Sequence, residues 1–276
     1  MLKEWPIVLN GASSVDSSQS PVVSFVIGHR GTARLNHLLL TIKSIAGQCG
    51  VPVECIVVEQ SFKPEIQQHI PDWVRYHFTQ TPSADYLYNR SWALNEGVRL
   101  AIGDIVVLHD GDMLVSAEYA AEFVHQVNQG FDVVNLKRFI AYLDESSTGD
   151  VFEQQKIVGA LRSEQIIANL CAGGSLGITK QAYWSIGGMD EEFVGWGGED
   201  TEFWDRCQTL RVANHTYMPI VHLWHPSQPG KAEKNGLGRS TADLFQQKMA
   251  LSAQTRIEQL QSKLNSSVQS LTTDPN

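Results

Sequence analysis

Ile105-Val106-Val107-Leu108-His109-Asp110-Gly111-Asp112 is the stretch on which the fold turns. Four consecutive apolar residues, mostly β-branched, read as a strand buried on both faces. The run stops at two carboxylates that flank a glycine, so a hydrophobic strand delivers acidic groups at its carboxyl end. In a sheet built from β-then-α units, ligands bind in the crevice beyond those strand ends.

Upstream, residues 22–27 form another continuous apolar run, and residues 32–48 place Leu35, Leu38, Leu39, Ile42, Ile45 and Ala46 at helical spacing. Residues 53–58 are a second β-branched run, Pro64 can open a short helix, and residues 74–78 read as a third strand. Between residues 85 and 101, Leu87, Ser91, Leu94, Val98 and Ala101 line one helical face, with Gly103 as a stop. Downstream, Ser116 can cap a helix with the apolar face Ala120, Phe123, Val124 and Val127, closed by Gly130 before a strand at 131–136. These alternating units predict an α/β fold with a mixed, mostly parallel central sheet flanked by helices. Residues 28–30, 59–61 and 109–112 then converge on one crevice. Residues 137–170 read as an excursion, and residues 173–200, rich in glycine and tryptophan, as site-building loops. Residues 242–268 carry Leu244, Met249, Leu251, Ile257, Leu260 and Leu264 in a polar background, as one or two amphipathic helices that pack on the domain or join copies of the chain.

The 276 residues are 42% hydrophobic and 18% charged, enough for a sizeable core, and the net charge of −9 argues against a nucleic-acid partner. No apolar run is long enough to span a bilayer and residues 1–6 lack a signal-peptide pattern, so the expectation is a cytoplasmic protein with no transmembrane segment. Cys49, Cys55, Cys171 and Cys207 have neither metal-ligand spacing nor the density of a disulfide scaffold, and read as small hydrophobes.

Three motifs carry chemistry. Asp110 and Asp112 can hold a hard divalent cation that also grips the phosphates of a nucleoside diphosphate, although Asp-Gly-Asp is also an ordinary turn. His222 and His225 follow an apolar segment and can complete a metal site begun by Asp112. Imidazole favours manganese over magnesium, and the bland alternative is a pair of hydrogen-bonded core histidines. Gly195-Trp196-Gly197-Gly198-Glu199-Asp200 surrounds a large aromatic with glycines that permit close ligand approach, just before a helix expected at 201–210. Trp196 can stack on a sugar face. Helix capping explains one of the two carboxylates but not the aromatic glycine-rich loop.

Together these residues resemble the β-1,4-galactosyltransferase family, and Gly195 to Asp200 is similar also to polypeptide N-acetylgalactosaminyltransferases and chondroitin-polymerising enzymes. The likeness runs through Tyr88-Asn89-Arg90, Asn95-Glu96-Gly97, Asp110-Gly111-Asp112, Gly173-Gly174-Ser175, Lys180-Gln181 and Gly187-Gly188, over most of residues 22–225. It implies a GT-A fold with a Rossmann-like nucleotide-binding half at 21–136 and an acceptor-binding half at 137–240, after an N-terminal extension at 1–20 and before a helical tail at 241–276. It assigns Arg30, Glu59, Tyr88, Arg90, Asp110 and Gly174 to the donor and Asp112 to a metal, Mn2+ or Mg2+. His222 and His225 share the remaining metal position, either with His225 as the family's histidine or with His222 alone. Asp200 becomes the general base of an inverting transfer from UDP-galactose or UDP-N-acetylgalactosamine to a saccharide or glycoconjugate hydroxyl, with Glu199 and Trp196 holding the acceptor. Cys171 stands where galactose-specific members carry a bulky tyrosine, so either donor is open. Thr201 replaces a further acidic residue, and the cysteines do not match the animal enzymes' disulfides, a combination that fits a bacterial-type enzyme.

Two other classes compete. A sugar nucleotidyltransferase would carry a basic, glycine-rich loop after the first strand, of which Gly28-His29-Arg30-Gly31-Thr32 is a poor version. A non-catalytic sugar- or nucleotide-binding scaffold has no need of Asp112, Asp200 and the histidine pair together.

Overall fold

β1 (Val23–His29) is the strand on which the layers are organised. Its alternate side chains feed two different cores. Val23, Phe25 and Ile27 face one side, while Val26 faces the other. In the computed structural model, residues 6–12, 19–157, 161–168, 173–214, 218–226 and 238–272 are described.

The chain continues through α1 (Leu35–Ala46), β2 (Val53–Ser61), a 3-10 turn at Gln67–His69, β3 (Arg75–Gln80), α2 (Arg90–Leu100), β4 (Ile105–His109), β5 (Met113–Leu114), α3 (Tyr119–Asn128) and β6 (Val133–Val134). Next come β7 (Lys137–Leu143), α4 (Glu145–Gln154), β8 (Ser163–Ala168), β9 (Ser175–Thr179), α5 (Lys180–Ser185), α6 (Glu199–Cys207), β10 (Val212–Ala213), β11 (Met218–His222), α7 (Gly238–Met249) and α8 (Ala253–Thr272). The main sheet has the order β10-β6-β9-β4-β1-β2-β3, parallel except at β9, which runs antiparallel to β4 and β6. Leu38, Ile42 and Ile45 of α1 and Phe123 of α3 cover one face. Leu94 and Val98 of α2, Tyr183 of α5 and Phe203 of α6 cover the other. A smaller sheet, β5-β11-β7-β8, stands beside it.

Several local expectations shift. The helix expected over 85–101 begins at Arg90, because the Asn89 side chain accepts the Trp92 N–H at 2.9 Å while the Tyr86 and Tyr88 carbonyls bond to Arg30 and Gly195. Ser116 does not cap α3. Gln48, at the end of α1, does so from a distance, its Oε1 accepting the Ala120 N–H at 2.8 Å and its Nε2 donating to the Ser116 carbonyl at 2.8 Å. The segment after Pro64 makes only the 3-10 turn, and the strand expected at 131–136 pairs only over Val133–Val134. The supposed excursion at 137–170 holds β7, a central strand of the second sheet, together with α4 and β8. α6 starts at Glu199 rather than at residue 201, and α7 and α8 realise the expected C-terminal helices. Cys55 and Cys207 are buried as expected, whereas Cys49 is exposed.

Candidate active site

The site lies where β4 ends. The Asp110 N–H donates to the Gly174 carbonyl at 2.8 Å, which joins the acidic turn to the glycine pair before β9. Beyond the turn, β5 runs antiparallel to β11 with Met113 opposite His222, and the Leu223 N–H donates to the Asp112 carbonyl at 2.9 Å. This pairing carries both histidines to Asp112. His222 Nε2 lies 3.8 Å from Asp112 Oδ1 and His225 Nε2 lies 3.3 Å from Oδ2. One donor atom from each of the three residues fits within 4.8 Å.

The surroundings orient these donors. His225 Nδ1–H donates to the Pro226 carbonyl at 2.8 Å, which leaves the Nε2 lone pair for the cluster. The preceding residue is held from both sides, since His37 Nε2–H donates to the Trp224 carbonyl and the Trp224 N–H donates to Thr148 Oγ1, each at 2.8 Å. The Tyr142 ring stacks on His222 with centroids 4.4 Å apart. Burial holds His222 below its ordinary pKa, which keeps it neutral and able to ligate. Burial would raise the Asp112 carboxyl, but the His225 and His222 imidazoles and Arg34, whose NH1 lies 3.1 Å away, outweigh it and hold the group below the usual carboxylate range. One carboxylate oxygen and two imidazole nitrogens can hold a divalent transition-metal ion, with positions left over for ligand oxygens.

Arg90, the first residue of α2, builds a second cluster around Asp110, two residues before Asp112. Its Nε and NH2 donate to Asp110 Oδ1 at 3.1 and 2.7 Å, and its NH1 donates to Asp200 Oδ1 at 2.6 Å. Asp200 and Glu199 occupy the first turn of α6, and neither caps it. The cap position is Gly198, whose φ of 92° an L side chain rarely adopts. Glu199 Oε2 accepts the Gly197 N–H at 3.1 Å, and the Gly195 N–H donates to the Tyr88 carbonyl at 2.9 Å, so the glycine loop is tied to the start of α2. Burial, reinforced by neighbouring Asp200, pushes Glu199 up to about 7. Burial also raises Asp200, against the pull of Arg90. A Cβ at Gly173 would sit 3.1 Å from Asp200 Oδ2, so bare backbone borders that oxygen. Trp196 is 52% exposed, and its carbonyl accepts from Thr241 Oγ1 at 2.8 Å.

Arg90, Asp110, Gly174, Glu199 and Asp200 therefore form one group, and Asp112, His222 and His225 another. Arg30 and Tyr88 make a third, with the guanidinium 5.4 Å above the phenol ring and bonded to the Gln60 and Tyr86 carbonyls at 2.7 and 2.6 Å. Glu59 stands apart. It is fully buried, and its oxygens accept from the Glu65 and Ile66 N–H groups and the Tyr76 hydroxyl. Sequence reasoning passed over Arg34 and Lys137. Lys137 is buried at the start of β7 and donates to the Ser175 carbonyl at 2.7 Å and to Asn135 Oδ1 at 3.0 Å. Neither lies in a motif, and a lone basic residue reads as surface. Cys171 lies outside the described residues.

A model of glycosyl transferase family 2 matches residues 33–187, more than half of the chain. The chain belongs to glycosyl transferase family 2. A second model, described as the N-terminal domain of galactosyltransferase, matches residues 163–224 of this glycosyltransferase, the stretch that holds Asp200 and His222. No curated protein matches the sequence. Among solved structures, the glycosyltransferase is similar to the catalytic domain of Drosophila β1,4-galactosyltransferase 7 in complex with xylobiose, at 16% identity over 80% of this chain and 79% of that one, with a TM-score of 0.49. It is similar also to the mannosyltransferase PcManGT from Pyrobaculum calidifontis in complex with GDP-Man and Mn2+, at 15% identity over 83% of this chain and 61% of that one, with a TM-score of 0.47. The family and the mostly parallel sheet flanked by helices together make this a GT-A glycosyltransferase resembling galactosyltransferases. Among the described residues, no helix is long and apolar enough to cross a membrane.

Proposed function

We propose that this glycosyltransferase is metal-dependent and inverting, and moves galactose or N-acetylgalactosamine from the UDP-sugar to a hydroxyl of a saccharide acceptor. The observation that carries the reading is the convergence of Asp112, His222 and His225 two residues beyond Asp110, which Arg90 joins to Asp200. Bound there, a divalent ion supplies positive charge that stabilises the departing diphosphate.

The chain's own residues do the rest. Tyr88 and Arg30 serve the nucleoside side of the donor, with Glu59 supporting the loop after β2 from beneath. Arg90 occupies Oδ1 of Asp200, which leaves Oδ2, beside the bare backbone of Gly173, to take the acceptor hydroxyl's proton. The acceptor oxygen then forms its bond to the anomeric carbon as the bond to the UDP oxygen breaks on the opposite face, and the configuration inverts. Glu199, whose carboxyl burial shifts toward the protonated form, can donate to an acceptor hydroxyl, and the exposed Trp196 ring offers a face for the acceptor sugar.

The test is UDP release with manganese across UDP-Gal, UDP-GalNAc, UDP-GlcNAc and UDP-Glc, with and without a panel of saccharide acceptors. Acceptor-stimulated release from one of the first two donors, lost in EDTA, is the expected result. Asp200→Asn should bind UDP normally and transfer nothing. Silence with every donor and acceptor, or an active Asp200→Asn, overturns the reading.

A further inference from the structure

The first turn of α6 carries both Glu199 and Asp200, and Arg90 holds only the tip of Asp200 there, NH1 to Oδ1 at 2.6 Å. It emerges from Gly195, Gly197 and Gly198, all with positive φ, and has no side-chain cap. One turn later it meets a second set of contacts, made by charges no solvent reaches. Glu202 is 1% exposed and takes both neighbouring guanidiniums. Oε1 accepts from Arg206 Nε at 2.8 Å and from Arg256 NH1 at 2.7 Å, and Oε2 accepts from Arg206 NH2 at 2.7 Å. Arg206 NH1 reaches on to the Ile186 and Gly188 carbonyls. Arg256, from α8, also bonds Asp205, and beside it Ile257 and Leu260 are buried.

This arrangement is poorly suited to maximising stability. A buried ion pair regains little beyond its desolvation cost, and an apolar side chain of similar volume packs as well or better. Arg256 Nε is also buried with no partner among the described residues, a further cost. Arg206 alone already neutralises Glu202, so Arg256 is not needed to keep that carboxylate from being stranded. What a second guanidinium contributes is direction, because its rigid planar fork fixes the angle of approach. Glu202 lies three residues after Glu199, on the same helical face. A rotation of α6 by about 10° would carry its carboxylates roughly 1 Å, a misplacement that can cost about 100-fold in rate.

We infer that Arg256 is a positioning residue, through which the C-terminal helix α8 locks the rotation of α6 and so aims Asp200 and Glu199 at the acceptor. The inference rests on the proposed function. Its test uses the full chain with Arg256→Met, Arg256→Lys and Asp205→Asn. Expected for Arg256→Met is a urea midpoint equal to or above wild type, a donor KM within about 2-fold and a kcat lowered roughly 10- to 100-fold. Amide hydrogen exchange of residues 202–206 should quicken about 10-fold in the same variant. Arg256→Lys, a point charge without the fork, should fall between, and Asp205→Asn, which leaves the Glu202 pair intact, should keep kcat. A wild-type kcat in Arg256→Met overturns the inference, as does a loss that only tracks the folded fraction. Exchange needs no turnover. Unchanged exchange overturns the inference alone, whereas a wild-type chain inert with every donor overturns the proposed function.

Discussion

Arg90 holds two carboxylates, Asp110 in the turn after β4 and Asp200 at the head of α6, and it is buried enough that neither pair is a surface ornament. Asp112 has a different balance, with one guanidinium and two imidazoles about a single carboxylate. Asp112→Asn keeps the shape and removes the anionic donor. Since outer partners of a metal site alone are worth 10- to 100-fold, manganese-dependent turnover should fall by about 100-fold or more, read from a manganese titration of initial rates. Glu199 yields a pH prediction. Its native carboxyl keeps the proton to about pH 7 where the ordinary value is 4.5, so between those values the folded state binds more protons than the unfolded one. Stability therefore falls as pH rises through that window, and the penalty is complete above it. In metal-free protein, Glu199→Gln should be more stable than wild type by about 3 kcal/mol at pH 8 and equal to it near pH 4, by urea midpoints.

At the scale of elements, α2 lies unusually close to the main sheet because Gly97 faces it. A Cβ there would stand 2.2 Å from Val26 Cγ1 and 3.3 Å from Val58 Cγ2. Gly97→Ala should cost about 1–3 kcal/mol by overpacking, seen as a lower urea midpoint at unchanged slope. Because α2 also carries Arg90, the lifted helix should lower kcat as well. Elements buried on both faces were legible from their apolar runs, as with β1, β2 and β4. β7 was not, because Lys137 and Arg138 open a strand whose Ile140, Ala141 and Leu143 are buried, and charge masks the period. α3 was legible as a helix but not in its cap, since Gln48 reaches it from 72 residues away.

For the molecule as a whole, a ligand that binds only the native state raises stability by mass action, about 2.7 kcal/mol at 100 times its Kd. Manganese should therefore raise the melting temperature by roughly 5–10 °C, reversibly with EDTA, and His222→Ala/His225→Ala should abolish the shift. Which histidine joins Asp112 could not be read from a spacing of three. It depends on β5 pairing with β11, a contact between segments about a hundred residues apart. The sequence by itself determined the alternation of buried strands and helices, the delivery of Asp110 and Asp112 at a strand end, and the glycine-rich approach to Glu199 and Asp200, since each is a local pattern of burial or backbone freedom. Only the tertiary structure decided that both histidines meet Asp112, that Arg90 spans Asp110 and Asp200, and that Arg206 and Arg256 share Glu202 inside the fold. A charged residue read alone belongs in water, and only a partner brought from far along the chain makes its burial possible.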